Sequence, residues 1–237
     1  MDLILALKKY SENYKLIFAI SILFIFLLLM INPIFSLSGG SLNLTYNISN
    51  IGLANLVITL IALIAFITVF TVIQVLIISR VENSYNFNRT SNTFEEIKHP
   101  FFELLKFNII FYIAVFAIYS FIYDLGINAL IFDIVLFVVM IIVWSVPQIV
   151  IMERESVEKS IIISLNYINQ NWIFILYLFL VSFILMIITI VIDVLFGNIA
   201  GSIISTGFFV LFVIPYIEIL KTEMYLDKYR LLKPFNF

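Results

Sequence analysis

Four carboxylates lie in or beside long apolar runs, Asp133, Asp193, Glu153 and Glu218. A charge in hydrocarbon is costly, so each needs a partner or a purpose. Asp133 and Asp193 each sit three or four residues inside their runs, roughly 5–6 Å deep at ~1.5 Å per residue. Two chemistries would use such a pair. One is an acidic mouth for a cation or proton pathway, and the other is an aspartyl dyad in which like charges share a proton. No Gly-x-Gly-Asp context surrounds either residue, and a shallow carboxylate still reaches water. An interfacial or structural place is therefore preferred to transport, and transport to proteolysis. Glu218 stands three residues before Lys221, a spacing that allows an i,i+3 ion pair on a helix.

Glu153 has the best claim to a specific role. It follows Pro147 at the end of an apolar run, and proline removes a helix donor and frees a carbonyl. The polar turn after it can receive hydrogen bonds from the next helix. Glu153 and Ser164 are expected to organise that elbow rather than bind a substrate. Gln74, Asn108 and Gln148 are expected to bridge helices, through bonds worth about 0.6 kcal/mol on average in membranes. The chain has no cysteine and one histidine, His99. No thiol nucleophile, Cys-ligated metal or His-rich metal site can be assembled, and no nucleophile–base pair is evident. The expectation is a non-enzymatic protein with no cofactor and no metal.

The elements that position these residues are membrane spans. The chain is 63% hydrophobic and 12% charged, with a mean hydropathy of +1.16, against about 45–50% apolar and about 25% charged in soluble domains. Apolar runs lie at about 16–35, 52–79, 107–123, 130–151, 172–196 and 202–220, each near or above the ~20 residues that cross a bilayer as a helix. Only helices satisfy their backbone within one such run, and the ~10-residue alternation of barrel strands is absent. The expected fold is all-α: one polytopic domain over 1–237 with six transmembrane helices.

All thirteen Lys and Arg residues fall in the N-terminal tail, the segments after the second and fourth runs, or the C-terminal tail. Positive segments stay cytoplasmic, which puts both termini inside a cell membrane. Eleven of the fifteen acids share that side, and Asp124 is the sole charge in an outer loop. The first run, with lysines before it and Ser36 and Ser38 after it, also resembles a signal peptide. It is longer than a usual signal core and is kept as a span. A net charge of −2 gives no reason to expect a nucleic-acid partner. Expected partners are the bilayer, a membrane or cytoplasmic protein, and a second copy of the chain.

Two or three amphipathic helices are expected on the cytoplasmic side. Thr93 and Glu96 have capping-box spacing before Pro100, which should interrupt or restart the helix. Ser156 can cap a helix carrying Glu158 in its first turn, with Val157, Ile161, Leu165 and Ile168 as its apolar face. Lys221–Leu232 reads as a shorter, more charged version.

The stretch Pro147–Trp172 holds Pro147, Glu153, Glu158, Ser160, Ser164 and Trp172 in a pattern that spans an elbow. It resembles prokaryotic polytopic families related to the membrane domain of glycerophosphoryl diester phosphodiesterases. Those have a proline-kinked span, a Glu at its inner end, a short E-x-A-[IL]-x-x-S helix and an aromatic opening the next span. This chain departs from the pattern, with Ser160 for the usual alanine, Ile163 where arginine is common, and no glycine after the Glu. Catalysis in the enzymes that name the family belongs to a separate barrel domain, so the resemblance implies a membrane module and not a diesterase. The functional expectation is a module that organises partners or lipids through its cytoplasmic face. The runner-up is a small transporter or channel with an acidic outer mouth at Asp133 and Asp193.

Overall fold

The computed structural model describes residues 3–31, 35–38, 41–44, 53–84, 94–124 and 129–232. Nine α-helices carry most of them: α1 Leu3–Ile31, α2 Leu53–Asn83, α3 Phe94–Asp124, α4 Ala129–Val143, α5 Val146–Met152, α6 Val157–Gln170, α7 Trp172–Phe196, α8 Asn198–Phe208 and α9 Ile214–Leu232. A π-helical segment, Phe209–Val213, joins α8 to α9 without a break. Strands β1 Phe35–Ser38 and β2 Ser41–Leu44 pair antiparallel, Phe35 opposite Leu44. This short ribbon lies in a connection of an otherwise helical chain. It falls in the Ser/Asn/Gly-rich first loop, where serine and asparagine favour turns over helix.

Among the described residues, four helical stretches are long and apolar enough to cross a membrane: Leu60–Asn83, Val135–Met152, Trp172–Phe196 and Ile203–Asp227. The run at 107–123 falls within α3, and the run at 16–35 is helical in α1 over its first part, to Ile31. The chain is a helical membrane protein with at least these four candidate spans.

Helix α2 is the hub, packing against α1, α3, α5 and α9. Its side chains Phe66, Ile73, Ile77 and Val81 join Val213, Ile219 and Leu220 of the last span in the main core. Short α5 is the most enclosed element, with Val146 through Ile151 all buried. By contrast, α7 buries only the stripe Leu178, Leu185 and Thr189, and most of its other aliphatic and aromatic side chains are exposed.

Three expectations change. Pro100 does not break its helix, because α3 runs through it from Phe94 to Asp124. One missing donor near the start of a 31-residue helix is outweighed by the bonds on either side. Thr93 lies outside the described residues. The segments before residue 107 and after residue 220 are continuous with α3 and α9, so of the three expected amphipathic helices only α6 stands as a separate helix among the described residues. Its face is also rotated. Val157, Ser160, Ser164 and Tyr167 turn inward, while Leu165 is 44% exposed. Small residues four apart let two helix backbones approach closely, and Ser160 and Ser164 use that spacing against α5.

The turn between α7 and α8 depends on two glycines. Gly197 has φ +58° and ψ 158°, a conformation essentially restricted to glycine. A Cβ at Gly201 would stand 2.2 Å from the backbone oxygen of Asp193.

Candidate functional site

Where α2, α3, α5 and α9 meet, six polar side chains are enclosed: Thr71, Gln74, Asn108, Gln148, Glu218 and Lys221. Gln74, Asn108, Gln148 and Glu218 each sit within about five residues of the end of their apolar run that carries basic residues, and Lys221 is the first residue past it. The Glu218 carboxylate, 6% exposed, is the centre. Gln74 Nε2 donates to its Oε1 at 3.3 Å, Gln148 Nε2 donates to its Oε2 at 2.9 Å, and Lys221 Nζ donates to Oε1 at 3.0 Å. Asn108 Nδ2 extends the cluster, donating to Gln74 Oε1 at 3.0 Å and to Thr71 Oγ1 at 2.9 Å.

The formal charges of Glu218 and Lys221 cancel inside the bundle, and the amides supply the directional bonds that an isolated pair would lack. One acceptor is left over: Gln148 Oε1 is buried with no hydrogen-bond partner. The amides expected to bridge helices therefore gather at Glu218, for which the sequence suggested an i,i+3 pair with Lys221. Thr71 escaped the sequence reading. Its position three residues before Gln74 on one helix face was the signal that could have found it.

A second set of contacts holds the elbow. The chain breaks at Trp144–Ser145, between α4 and α5. There Ser164 Oγ, reaching from α6, donates to the carbonyl of Ile142 at 2.7 Å and accepts from Ser145 Oγ at 2.8 Å. Tyr167 donates to the carbonyl of Met224 at 3.3 Å, and its ring packs between those of Trp144 and Tyr225. Tyr225 donates to Glu153, which ties α9 to the turn that follows α5. Arg154, next in that turn, takes φ +58°, in the left-handed region that a bulky residue rarely adopts.

The start of α6 is capped from outside. Ser156 holds the N-cap position without a side-chain cap bond. Instead the Glu103 carboxylate accepts the N–H of Val157 at 3.1 Å. Lys106 donates to Glu158 at 2.8 Å. That bond, with the backbone and Ser156 also donating, lowers the Glu158 carboxyl to about 2, and it raises Lys106. Burial, assisted by the charge on Asp227, pushes the Tyr167 hydroxyl up to about 12.

The second proline-marked span solves the same backbone problem with different groups. Pro215 has no N–H for the carbonyl of Leu211, four residues earlier. Tyr10 of α1 donates to that oxygen at 2.8 Å, and Ser21 donates to the neighbouring carbonyl of Val210 at 3.4 Å. Neither residue was legible as a partner from sequence, although an orphaned buried carbonyl must find a donor.

The other predicted residues are scattered. Asp193 accepts from Ser205 at 3.3 Å across the α7–α8 turn. Asp133 falls within α4, and its side chain lies outside the described residues, as does any pairing with Asp193. Ser160 is fully buried without a hydroxyl partner, in keeping with a close-packing role. Trp172 opens α7 and is exposed. Among the described residues, no group of three or more His, Asp or Glu side chains is placed to hold a metal ion. No protein-family model, curated protein or solved structure matches the chain.

Proposed function

We propose that the chain is a non-enzymatic, six-span module of the cell membrane, with both termini cytoplasmic, that organises lipids or a partner through its inner face. The carrying observation is the state of α6. This helix is tethered to α3, the α4–α5 break and α9 by Glu103, Ser164 and Tyr167, yet Ile162 stays 61% and Leu165 44% exposed on its outer side. Trp172 and Ile173, at the start of α7, are exposed as well. Aliphatic groups on a rigid helix, bordered by Lys159, Asn166 and Asn169 and followed by a tryptophan, suit the headgroup–acyl boundary.

Charge supports the orientation, since the further apolar runs at 16–35 and 107–123 would complete an even number of spans and leave every Lys and Arg on one side. The likeness of Pro147–Trp172 to the diesterase-associated membrane domains supports a module reading as well. It rests on those residues alone, with Ser160 and Ile163 departing from the pattern.

The test is Ile162→Glu with Leu165→Glu, followed by native mass spectrometry of the detergent-purified protein. Bound lipids or a co-purifying partner should be lost while the fold is retained. An unchanged set of bound species would sink the proposal. The same spectra report whether the module forms homo-oligomers.

A further inference from the structure

Glu218 has more around it than an interhelical tether needs. We propose that it is a reversible proton-binding site, in which a proton from water replaces the Lys221 ammonium as the partner of the carboxylate. Three observations meet there. The carboxylate is enclosed in a candidate span. It is held by groups that accommodate either state. The span is irregular just before it, where a π-helical segment runs directly into the turn that holds Pro215. Single π segments within α-helices are frequent at functional sites.

The amide of Gln148 supplies the alternative bond. With Glu218 ionised, its Nε2 donates to Oε2 and its Oε1 has no partner. A half-turn of the amide exchanges the two atoms. Oε1 then faces Oε2 and accepts from the hydroxyl of a protonated Glu218. In that step one O–H bond forms on the carboxylate and the Lys221–Glu218 hydrogen bond breaks. The ammonium keeps its protons, so the pair goes from neutral to +1. Three residues place Lys221 about 4.5 Å nearer the charged end of α9. Its flexible four-carbon stem lets the ammonium leave while the carboxylate stays.

The groups around the site are mostly neutral. On α9 itself Lys221 makes the contact, Glu223 lies five residues beyond Glu218, and Tyr216 two residues before it. On α2, Arg80 and Glu82 lie six and eight residues past Gln74, about 9 and 12 Å along the axis. Arg80 is engaged by Asn13. The ionisable residues of α1 are Lys8, Lys9, Tyr10, Glu12, Tyr14 and Lys15, of which Tyr10 bonds Leu211 and Lys9 pairs with Glu12. Helix α7 offers Tyr177, with Asp193 at its far end bonded to Ser205, and α5 has no ionisable residue. Joined through Asn108, α3 adds Tyr112, with Glu103 and Lys106 committed to α6. Lys221 is thus the single cation in direct contact with Glu218 among the described residues.

The test is pH-dependent infrared difference spectroscopy of the full chain in detergent. A protonated-carboxyl C=O band should grow reversibly as pH falls and be missing in Glu218→Gln. Gln148→Leu should shift its frequency. Lys221→Met should move its appearance to higher pH by about one unit or more, the size of a lost opposite charge. A difference spectrum unchanged by Glu218→Gln would overturn the proposal. If that variant does not accumulate, Lys221→Met decides alone, and an unmoved band contradicts the exchange. Detergent spectra do not depend on membrane orientation or on what α6 contacts, so this failure is distinguishable from failure of the proposed function.

Discussion

Single side chains in this protein act mainly by satisfying backbone that proline and helix breaks leave open. Ser164 is the clearest case. Ser164→Ala strands the Ile142 carbonyl and the Ser145 hydroxyl, and should cost about 1–3 kcal/mol of stability, the penalty for an unpaired buried group. Tyr10→Phe should act similarly through Leu211. Both are measured by denaturation in mixed micelles. The surface pair Lys106–Glu158 behaves differently. Its contribution is screened by solvent and salt, but its titration is distinct. Lys106→Met should raise Glu158 from about 2 towards its ordinary 4.5, read by carboxyl-carbon NMR. The folded state lowers this carboxyl, so what the pair contributes is present above pH about 4.5 and lost as pH falls towards 2. At the centre, Lys221→Met leaves an enclosed carboxylate without its cation and should cost about 3–5 kcal/mol at neutral pH. Glu218→Gln should cost less, because a lysine stem can carry its charge towards water.

Among the elements, the turns are where sequence and conformation are most tightly matched. Gly201→Ala must displace the Asp193 carbonyl or its own helix, since the added carbon would lie 2.2 Å from that oxygen. A loss of about 1–3 kcal/mol is expected for such overpacking, with α7 and α8 splaying at the turn. Arg154→Gly should go the other way, stabilising by up to about 1 kcal/mol as left-handed strain is relieved. Helices were the legible elements: long apolar runs announced α2, α4 with α5, and α7. Which face α6 buries was not legible. Its aliphatic pattern favoured Val157, Ile161, Leu165 and Ile168, whereas close approach to α5 selects the serines. Hydrophobic periodicity finds a face that meets water on the other side. It is a poor guide where both sides meet protein or lipid and where small residues decide the contact.

Seen whole, the molecule is a bundle with a polar layer enclosed towards its basic end and a largely apolar body elsewhere. Gln74, Asn108, Gln148 and Glu218 were each visible as isolated polar residues in apolar runs. That they converge depends on how α2, α3, α5 and α9 pack, which no local pattern specifies. Tyr10 and Ser21 were hidden for the same reason, since their acceptors lie about 200 residues away. Asp193, one half of the acidic mouth expected from the sequence, accepts from Ser205 across the α7–α8 turn, and the side chain of the other half, Asp133, lies outside the described residues.

Single-cysteine labelling tests the central claim, that α6 and the enclosed polar layer belong to the cytoplasmic side, most directly. The chain carries no cysteine, so Ser41→Cys and Asn169→Cys each report one site against a silent background. In intact cells a membrane-impermeant thiol reagent should reach residue 41 at once and residue 169 only after permeabilisation. Labelling of residue 169 in intact cells, with residue 41 protected, would contradict the account.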